Sequence, residues 1–188
     1  GYSVAIADSG KELGGRINKE SMLPGMSSYK RVTDYRVSQI NQLDNVDVYL
    51  DNTLNPDDVL ELGFDHVVTA TGSSWQPTIM DEKAAPIEIA KTNSIFTPED
   101  VFNDCELKSP VLIFDFDYYY MGGLMAEYIK DLGHEVTIIT PFEKVSPWSF
   151  NSNEVLEIRL RLLEKDIKVI TEHRIIKIEE SSVKINHQ

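Results

Sequence analysis

Two stretches of the chain carry residue types that suit nucleotide binding. GYSVAIAD at 1–8 and GHEVTIIT at 133–140 repeat a glycine and a valine at the same spacing, and the apolar residues of each predict a buried strand. The alternative to a repeated unit is chance similarity of two buried strands. Asp8 ends the first strand, and the following loop contains Gly14, Gly15 and Arg16. In a dinucleotide-binding unit an acid at a strand end binds ribose hydroxyls, and glycines let the backbone approach phosphate. Asp8 and its loop are therefore candidates for an adenosine site, with an ordinary solvated carboxylate as the alternative.

The unit that contains the second stretch, GHEVTIIT, lacks the glycines that phosphate binding needs. Residues 111–140 have the strand, helix and strand pattern of a crossover unit, which implies a parallel sheet. The turn at its centre is built from Asp117, Tyr118, Tyr119, Tyr120, Gly122 and Gly123. Asp115 and Asp117 would repel a pyrophosphate, and Thr140 stands where the ribose-binding acid would be. We interpret this unit as a nucleotide fold that has lost NAD(P)H binding; alternatively, the tyrosines pack against a neighbouring domain.

The remaining patterns supply the elements that would position these residues. Amphipathic spacing predicts helices over 29–43 and 153–165, while Asn55 and Thr97, each followed by proline and acids, predict helix starts. Apolar β-branched runs predict strands at 46–50 and 66–70, and three short antiparallel strands at 168–171, 175–178 and 183–185. We therefore expect an α/β protein.

Composition narrows the function. The chain has 188 residues and a net charge of −13, which argues against nucleic acid and anionic membrane surfaces because both require basic patches. No run approaches the ~20 apolar residues of a membrane-spanning helix, and a cytoplasmic location is expected. One cysteine, Cys105, cannot form an internal disulfide or hold an iron–sulfur cluster alone. The four histidines are scattered, so we assign no metal ligand and no catalytic residue.

Five segments together form a pattern that is more specific than any single motif. They are GYSVAIADSGKELGGR, LPGMSSYKRVTDYR, NPDDVLELGFDHVVTATGSSW, TPEDV and DYYYMGGLMAEYIKDLGHEVTIIT. The chain that carries them resembles the carboxy-terminal part of the trimethylamine, dimethylamine and histamine dehydrogenase family. These are iron–sulfur flavoproteins related to old yellow enzyme and the 2,4-dienoyl-CoA reductases.

The resemblance implies two Rossmann-like domains of the FAD/NAD(P)-binding, disulfide-reductase type. Residues 1–106 would form a partial ADP- or FAD-binding domain without its first strand and phosphate loop, and residues 107–188 an NAD(P)-binding-like domain with a degenerate glycine motif. Asp8, Gly14, Gly15 and Arg16 would border the site for ADP (or FAD). Ala70, Thr71 and Gly72 match the strand-end motif that passes close to the same dinucleotide.

The resemblance also implies what the parent enzyme does. It would oxidise a small amine and pass electrons through FMN and a 4Fe-4S cluster, both held by an amino-terminal barrel outside this chain, to an electron-transferring flavoprotein. The parent would be a homo-oligomer, and this part alone would be inactive. Two alternatives stay open at this point: part of an NAD(P)H-dependent 2,4-dienoyl-CoA reductase-like or NADH:flavin oxidoreductase, and a stand-alone nucleotide-binding or interaction module.

Overall fold

The computed structural model describes residues 1–80, 83, 85–90 and 95–187. It is a mixed α/β structure with parallel strand pairs, as expected, and the chain divides into two compact units, Gly1–Ser73 and Ser74–Gln188. The domain boundary that the resemblance implies, between residues 106 and 107, stays a prediction. Among the described residues, none of the helices combines the length and the apolar character needed to cross a membrane.

The first unit is built around one parallel strand pair. Its elements are β1 (Val4–Ala7), α1 (Arg16–Glu20), a 3₁₀ turn (Ser27–Tyr29), α2 (Lys30–Ile40), β2 (Val46–Tyr49) and α3 (Pro56–Glu61). β1 pairs with β2 in register, with Val4 opposite Val46. The residues of β1 are exposed or half-buried, so the strand predicted at 1–8 forms but the prediction that it is buried is wrong. Leu23 and Met26, in the segment between α1 and α2, supply buried apolar side chains. The predicted helix and strand at 29–50 are thus confirmed.

The start of α3 follows the capping pattern that the sequence predicts. The Asn55 side-chain oxygen accepts hydrogen bonds from the backbone N–H groups of Asp57 (2.9 Å) and Asp58 (3.0 Å), and the Asp58 carboxylate accepts one from Asn55 N–H (2.8 Å). This reciprocal arrangement satisfies backbone donors that a helix leaves unpaired at its first turn. The same arrangement begins α4 (Pro98–Phe102) at Thr97.

The predicted strand at 66–70 is wrong in this structure. These residues form no strand and are exposed, Val68 to 89%. A strand is held by hydrogen bonds to a neighbouring strand, and the sheet of the first unit contains only β1 and β2 in the described part of the chain. A β-branched sequence without such a partner does not form a strand.

The second unit contains two three-stranded sheets. Its further elements are β3 (Glu88–Ile89), β4 (Val111–Phe114), α5 (Met121–Asp131), β5 (Val136–Ile139), a 3₁₀ turn (Pro147–Phe150), α6 (Val155–Glu164), β6 (Lys168–Ile170), β7 (His173–Ile178) and β8 (Val183–His187). The order is β4-β5-β6 in one sheet and β3-β7-β8 in the other. Leu124 and Ile129 of α5 and Ile158 and Leu162 of α6 are buried, as is Ile138 of β5.

One predicted strand direction is wrong. β6 runs parallel to β5, with Ile139 opposite Ile170, whereas the sequence pattern indicated an antiparallel strand. α6 is the reason, because a helical crossover returns the chain to the same end of the sheet before the next strand begins. The other two strands are antiparallel as predicted, with Ile175 of β7 opposite Ile185 of β8.

Candidate functional site

Asp8 lies at the carboxyl end of β1, where its carboxylate is fixed by the backbone. Its Oδ1 accepts a hydrogen bond from Gly10 N–H at 2.7 Å. Its own N–H donates to the Tyr49 carbonyl at 2.9 Å, and its carbonyl accepts from Asn52 N–H at 3.0 Å. The loops that follow the two parallel strands are therefore joined at Asp8, at the edge where α/β sheets bind ligands.

The glycines of the predicted adenosine site fall into two kinds. A Cβ at Gly14 (φ +120°) would lie 2.6 Å from both Asn18 Oδ1 and Thr33 Cγ2, so this residue is required for close packing between α1 and α2. A Cβ at Gly15 (φ +52°) or Gly72 (φ +72°) would meet no atom within 4 Å. The backbone at Gly15 and Gly72 is therefore open to approach by a ligand.

Arg16 connects two predicted segments that are far apart in the sequence. Its guanidinium Nη2 donates a hydrogen bond to the Ser73 carbonyl at 2.5 Å. This contact brings the loop at 14–16 next to the segment at 70–72, in which Ala70 and Thr71 are both exposed. Ser73 is thus part of the arrangement, although no feature of its local sequence marked it.

The turn at 117–120 is packed against aromatic side chains of its own unit. Tyr118 has a left-handed backbone (φ +69°), and its ring lies 3.8 Å from that of Phe142, centroid to centroid. Tyr119 meets Trp148 edge-on at 5.7 Å, and Trp148 N–H donates to the Tyr118 carbonyl at 2.9 Å. These contacts hold the turn to the loop that follows β5, while Tyr120 stands directly before the first residue of α5 without capping it through its side chain.

Gly122 and Gly123 serve packing inside the unit. A Cβ at Gly122 would lie 2.4 Å from Cγ of Asp115, and one at Gly123 would lie 2.5 Å from Cγ2 of Ile158 on α6. The first glycine lets the Asp115 carboxyl group approach the start of α5, and the second lets α6 approach the same helix. The space that a phosphate would use at such a helix start is reached by the Asp115 side chain.

Asp115 is the most strongly perturbed acid of this region. It ends β4, its N–H donates to the Ile139 carbonyl at 2.8 Å, and only 2% of the residue is exposed. Its burial raises the pKa of the carboxyl group to about 6, and the nearby Asp117 carboxylate acts in the same direction. The sequence analysis identified the charge of Asp115 but did not predict that the residue is buried. The apolar run at 111–114, directly before it, could have indicated that burial.

Thr140 does not present an open ribose contact. The residue is completely buried, and its hydroxyl oxygen accepts a hydrogen bond from Phe142 N–H at 3.4 Å. Cys105 is half-buried, and burial, followed by the charge of Asp100, raises the pKa of its thiol. Within residues 1–80, 83, 85–90 and 95–187, no group of three or more histidine, cysteine or acidic side chains could hold a metal ion.

The geometry so far defines a mixed α/β protein whose second unit carries an altered turn at the start of a crossover helix. The model of the family described as "OYE-like second alpha/beta domain" matches residues 96–187, which cover most of this unit.

Individual relatives extend the match to nearly the whole chain. Dimethylamine dehydrogenase of Hyphomicrobium sp. (strain x) is 30% identical over an alignment of 149 residues, which covers 74% of this chain and 20% of that protein. Histamine dehydrogenase of Rhizobium sp. 4-9 is 34% identical with a TM-score of 0.92, over 99% of this chain and 29% of that chain.

The 6-hydroxypseudooxynicotine amine oxidase of Pseudomonas geniculata N1 is 37% identical with the same TM-score, over 99% of this chain and 28% of that chain. The predicted relationship is therefore confirmed, and the chain is a homologue of the dimethylamine and histamine dehydrogenases. It spans only 20–29% of the length of these three relatives.

Proposed function

We propose that this chain is the ADP-binding and structural part of a larger flavoprotein that oxidises a small amine. The observation that carries the proposal is the match to histamine dehydrogenase, with 34% identity and a TM-score of 0.92 over 99% of the chain. In this proposal an amino-terminal barrel holds FMN and a 4Fe-4S cluster, and electrons leave towards an electron-transferring flavoprotein. The two units are Rossmann-like, and the parent is a cytoplasmic homo-oligomer.

The residues of this chain do not fit the redox centres themselves. A 4Fe-4S cluster needs four thiolate ligands, and the chain contains one cysteine. No catalytic step is therefore assigned to its side chains. Their contribution is to bind a nucleotide and to complete the fold around the redox domain.

The first unit fits the adenosine half of a dinucleotide. Asp8 is held at the carboxyl end of a parallel strand, where an acid binds ribose hydroxyls. The open backbone at Gly15 and Gly72 allows a ligand to approach closely, and Arg16 holds those two segments together. The bound group would be ADP, or the ADP half of FAD, and its function would be structural.

The second unit supports a fold without a working pyridine-nucleotide site. The Asp115 side chain reaches the start of α5, and the ring of Tyr118 packs against those of Phe142 and Trp148. A nucleotide bound at this helix start would place its phosphates beside the Asp115 carboxylate, which repels them. Electron transfer from FMN through a cluster needs no such nucleotide, which agrees with this arrangement.

The decisive experiment uses the complete polypeptide that contains this chain, purified anaerobically. We expect bound FMN, an iron–sulfur signal in electron paramagnetic resonance after reduction, and bleaching of the flavin by histamine or dimethylamine but not by NADPH. Bleaching by NADPH and not by any amine would favour the enoyl reductase alternative. A complete polypeptide without FMN and cluster would refute the proposal.

The nucleotide is tested separately by quantifying ADP released from the denatured complete protein. We expect about one ADP per protomer, and Asp8→Asn should lower that amount because asparagine replaces one of the two accepting carboxylate oxygens with an NH₂ donor and so cannot accept from both ribose hydroxyls through separate oxygens. Asp44→Asn, which changes an exposed carboxylate in a turn, is the matched control and should retain ADP. Stoichiometric ADP binding by the 188-residue chain alone would instead favour the stand-alone module.

A further inference from the structure

A buried polar cluster lies at the start of α5, and no motif predicts it. Its members are Asp115 at the end of β4 and two serines, Ser146 and Ser149, in the loop and 3₁₀ turn that follow β5. The residues are 2%, 0% and 1% exposed, respectively. α5 has eleven residues, and the N–H groups of the first turn of a helix have no acceptor within the helix.

Contacts across the cluster show that its members are neighbours. An ideal Cβ at Gly122 would lie 2.4 Å from Asp115 Cγ, and one at the adjacent Gly123 would lie 3.1 Å from Ser146 Oγ. The backbone N–H of Ser146 lies near enough to the Asp115 carboxylate to lower its pKa, an effect smaller than the opposing one of burial. Ser149 N–H donates to the Ser146 carbonyl at 3.1 Å, so both serines belong to one turn.

Three polar atoms of this cluster have no protein partner. Among the described residues, none forms a hydrogen bond with Asp115 Oδ2, Ser146 Oγ or Ser149 Oγ, although each atom is buried. A buried polar atom without a hydrogen bond is strongly destabilising, and such atoms are rare in folded proteins. Three of them on adjoining elements therefore indicate a ligand that the protein binds internally.

The chemistry of the cluster selects a small neutral ligand that both donates and accepts hydrogen bonds. A cation is disfavoured, because the cluster has one carboxylate and faces the positive end of a helix dipole. An anion is disfavoured by the same carboxylate. We propose that a buried water molecule is bound here and bridges Asp115 Oδ2 to the hydroxyl groups of Ser146 and Ser149.

All three buried atoms gain a partner in this arrangement. The water donates a proton to Asp115 Oδ2 and accepts the hydroxyl protons of both Ser146 and Ser149 on its two lone pairs. Buried waters typically form about three hydrogen bonds of this kind. The water and the Asp115 carboxylate thus occupy the space at the first turn of α5. This inference does not depend on which substrate the parent enzyme oxidises.

The test compares serine-to-alanine variants by thermal unfolding of the 188-residue chain. Ser146→Ala and Ser149→Ala should each lower Tm by roughly 2–4 °C, because each removes one partner of the water. Ser181→Ala, which alters an exposed serine of the same unit, is the matched control and should leave Tm unchanged. A rise in Tm in both cluster variants would overturn the proposal, because alanine relieves a hydroxyl that truly lacks a partner.

A crystal structure supplies the second, independent readout. We expect an ordered water peak within hydrogen-bond distance of Asp115 Oδ2 and of at least one of the two serine hydroxyls. A direct hydrogen bond between Asp115 Oδ2 and a serine hydroxyl, with no peak between them, would contradict the bridge. Either result decides the matter even if one alanine variant fails to fold.

Discussion

At the scale of single residues, Asp115 shows how an acid at a strand end can change its role. Asp8 ends β1 with its carboxylate in a turn, half-buried, and is suited to bind an external hydroxyl. Asp115 ends β4 in the same way but is buried against Gly122. The glycine that admits a phosphate in a nucleotide-binding unit here admits a side chain. The strand end at Asp8 is therefore accessible to a ligand, whereas the Asp115 side chain itself occupies the space beside Gly122.

Asp115→Asn should stabilise the protein at neutral pH. The folded-state pKa of about 6 is above the ordinary value of 3.8, so the folded protein binds this proton more tightly than the unfolded chain does. The cost of ionising Asp115 is therefore absent below pH 3.8, grows from there to about pH 6, and is complete above it. We expect a gain of up to roughly 3 kcal/mol in the free energy of unfolding at pH 8 and almost none near pH 4.

Urea unfolding of both proteins across this pH range measures the difference. Asp166→Asn is the matched control, because it removes an exposed carboxylate at a left-handed position that asparagine also tolerates. It should change stability little at any pH. An Asp115→Asn gain that is equal at pH 4 and pH 8 would show that the effect comes from packing and not from ionisation.

At the scale of elements, the sequence predicts a helix start better than a strand's partner. The capping arrangements at Asn55 and Thr97 are local, because all the donors and acceptors of their hydrogen bonds lie within four consecutive residues. Both form as predicted. The strand predicted at 66–70 depends on hydrogen bonds to another segment, which the local sequence cannot specify, and it does not form. The direction of β6 likewise depends on the crossover made by α6.

The same limit applies to the candidate site. The sequence could identify Asp8 and its glycines because strand ends and glycine-rich loops carry a recognisable pattern. It could not identify Ser73, whose contribution is a backbone carbonyl, or Ser146 and Ser149, which lie in irregular loops. Any residue type can contribute a carbonyl, so the local sequence does not reveal that contact.

α5 and α6 are held together by a charged contact as well as by apolar packing. Glu127 is 4% exposed on α5, and Arg161 Nε on α6 donates to its Oε2 at 2.7 Å. Lys165 Nζ also lies 3.9 Å from the other carboxylate oxygen. The buried acid thus contacts one base on α6 and a second, Lys165, that directly follows the helix.

Arg161→Met should destabilise the second unit, because it leaves Glu127 buried with Lys165 as the remaining base. We expect a loss of about 2 kcal/mol, less than for a fully buried pair because a quarter of the Arg161 side chain is exposed. Urea unfolding with an unchanged m-value is the measurement. Glu157→Gln removes only the exposed partner of Arg161, 3.5 Å away, and should cost less than about 0.5 kcal/mol. Equal losses in both variants would contradict the role of burial.

At the scale of the whole molecule, apolar side chains remain exposed on elements that also have a buried face. α6 buries Val155, Ile158 and Leu162, yet the opposite face presents three exposed leucines, Leu156, Leu160 and Leu163. Their spacing of four and three residues places them on one side of the helix. A helix with apolar residues on two faces is typical of one that is covered on both sides.

We therefore expect the 188-residue chain to associate weakly through this leucine face, which is small relative to the ~1,000 Å² that a stable interface needs. The net charge of −13 opposes association, so raising the salt concentration should strengthen it by screening. Sedimentation velocity over a range of protein and salt concentrations measures this. Leu160→Glu should abolish the salt-dependent association, because it places a charge at the centre of the face.

Leu60→Glu is the matched control for this last prediction. Leu60 is an exposed leucine of α3, 77% accessible, and α3 carries no comparable row of exposed leucines along one side. An isolated exposed leucine is ordinary on a protein surface, whereas three on one helix side form a patch. Loss of association in Leu60→Glu but not in Leu160→Glu would assign the contact to the first unit instead. Sedimentation as a monomer under all conditions would mean that the charge outweighs the leucine face.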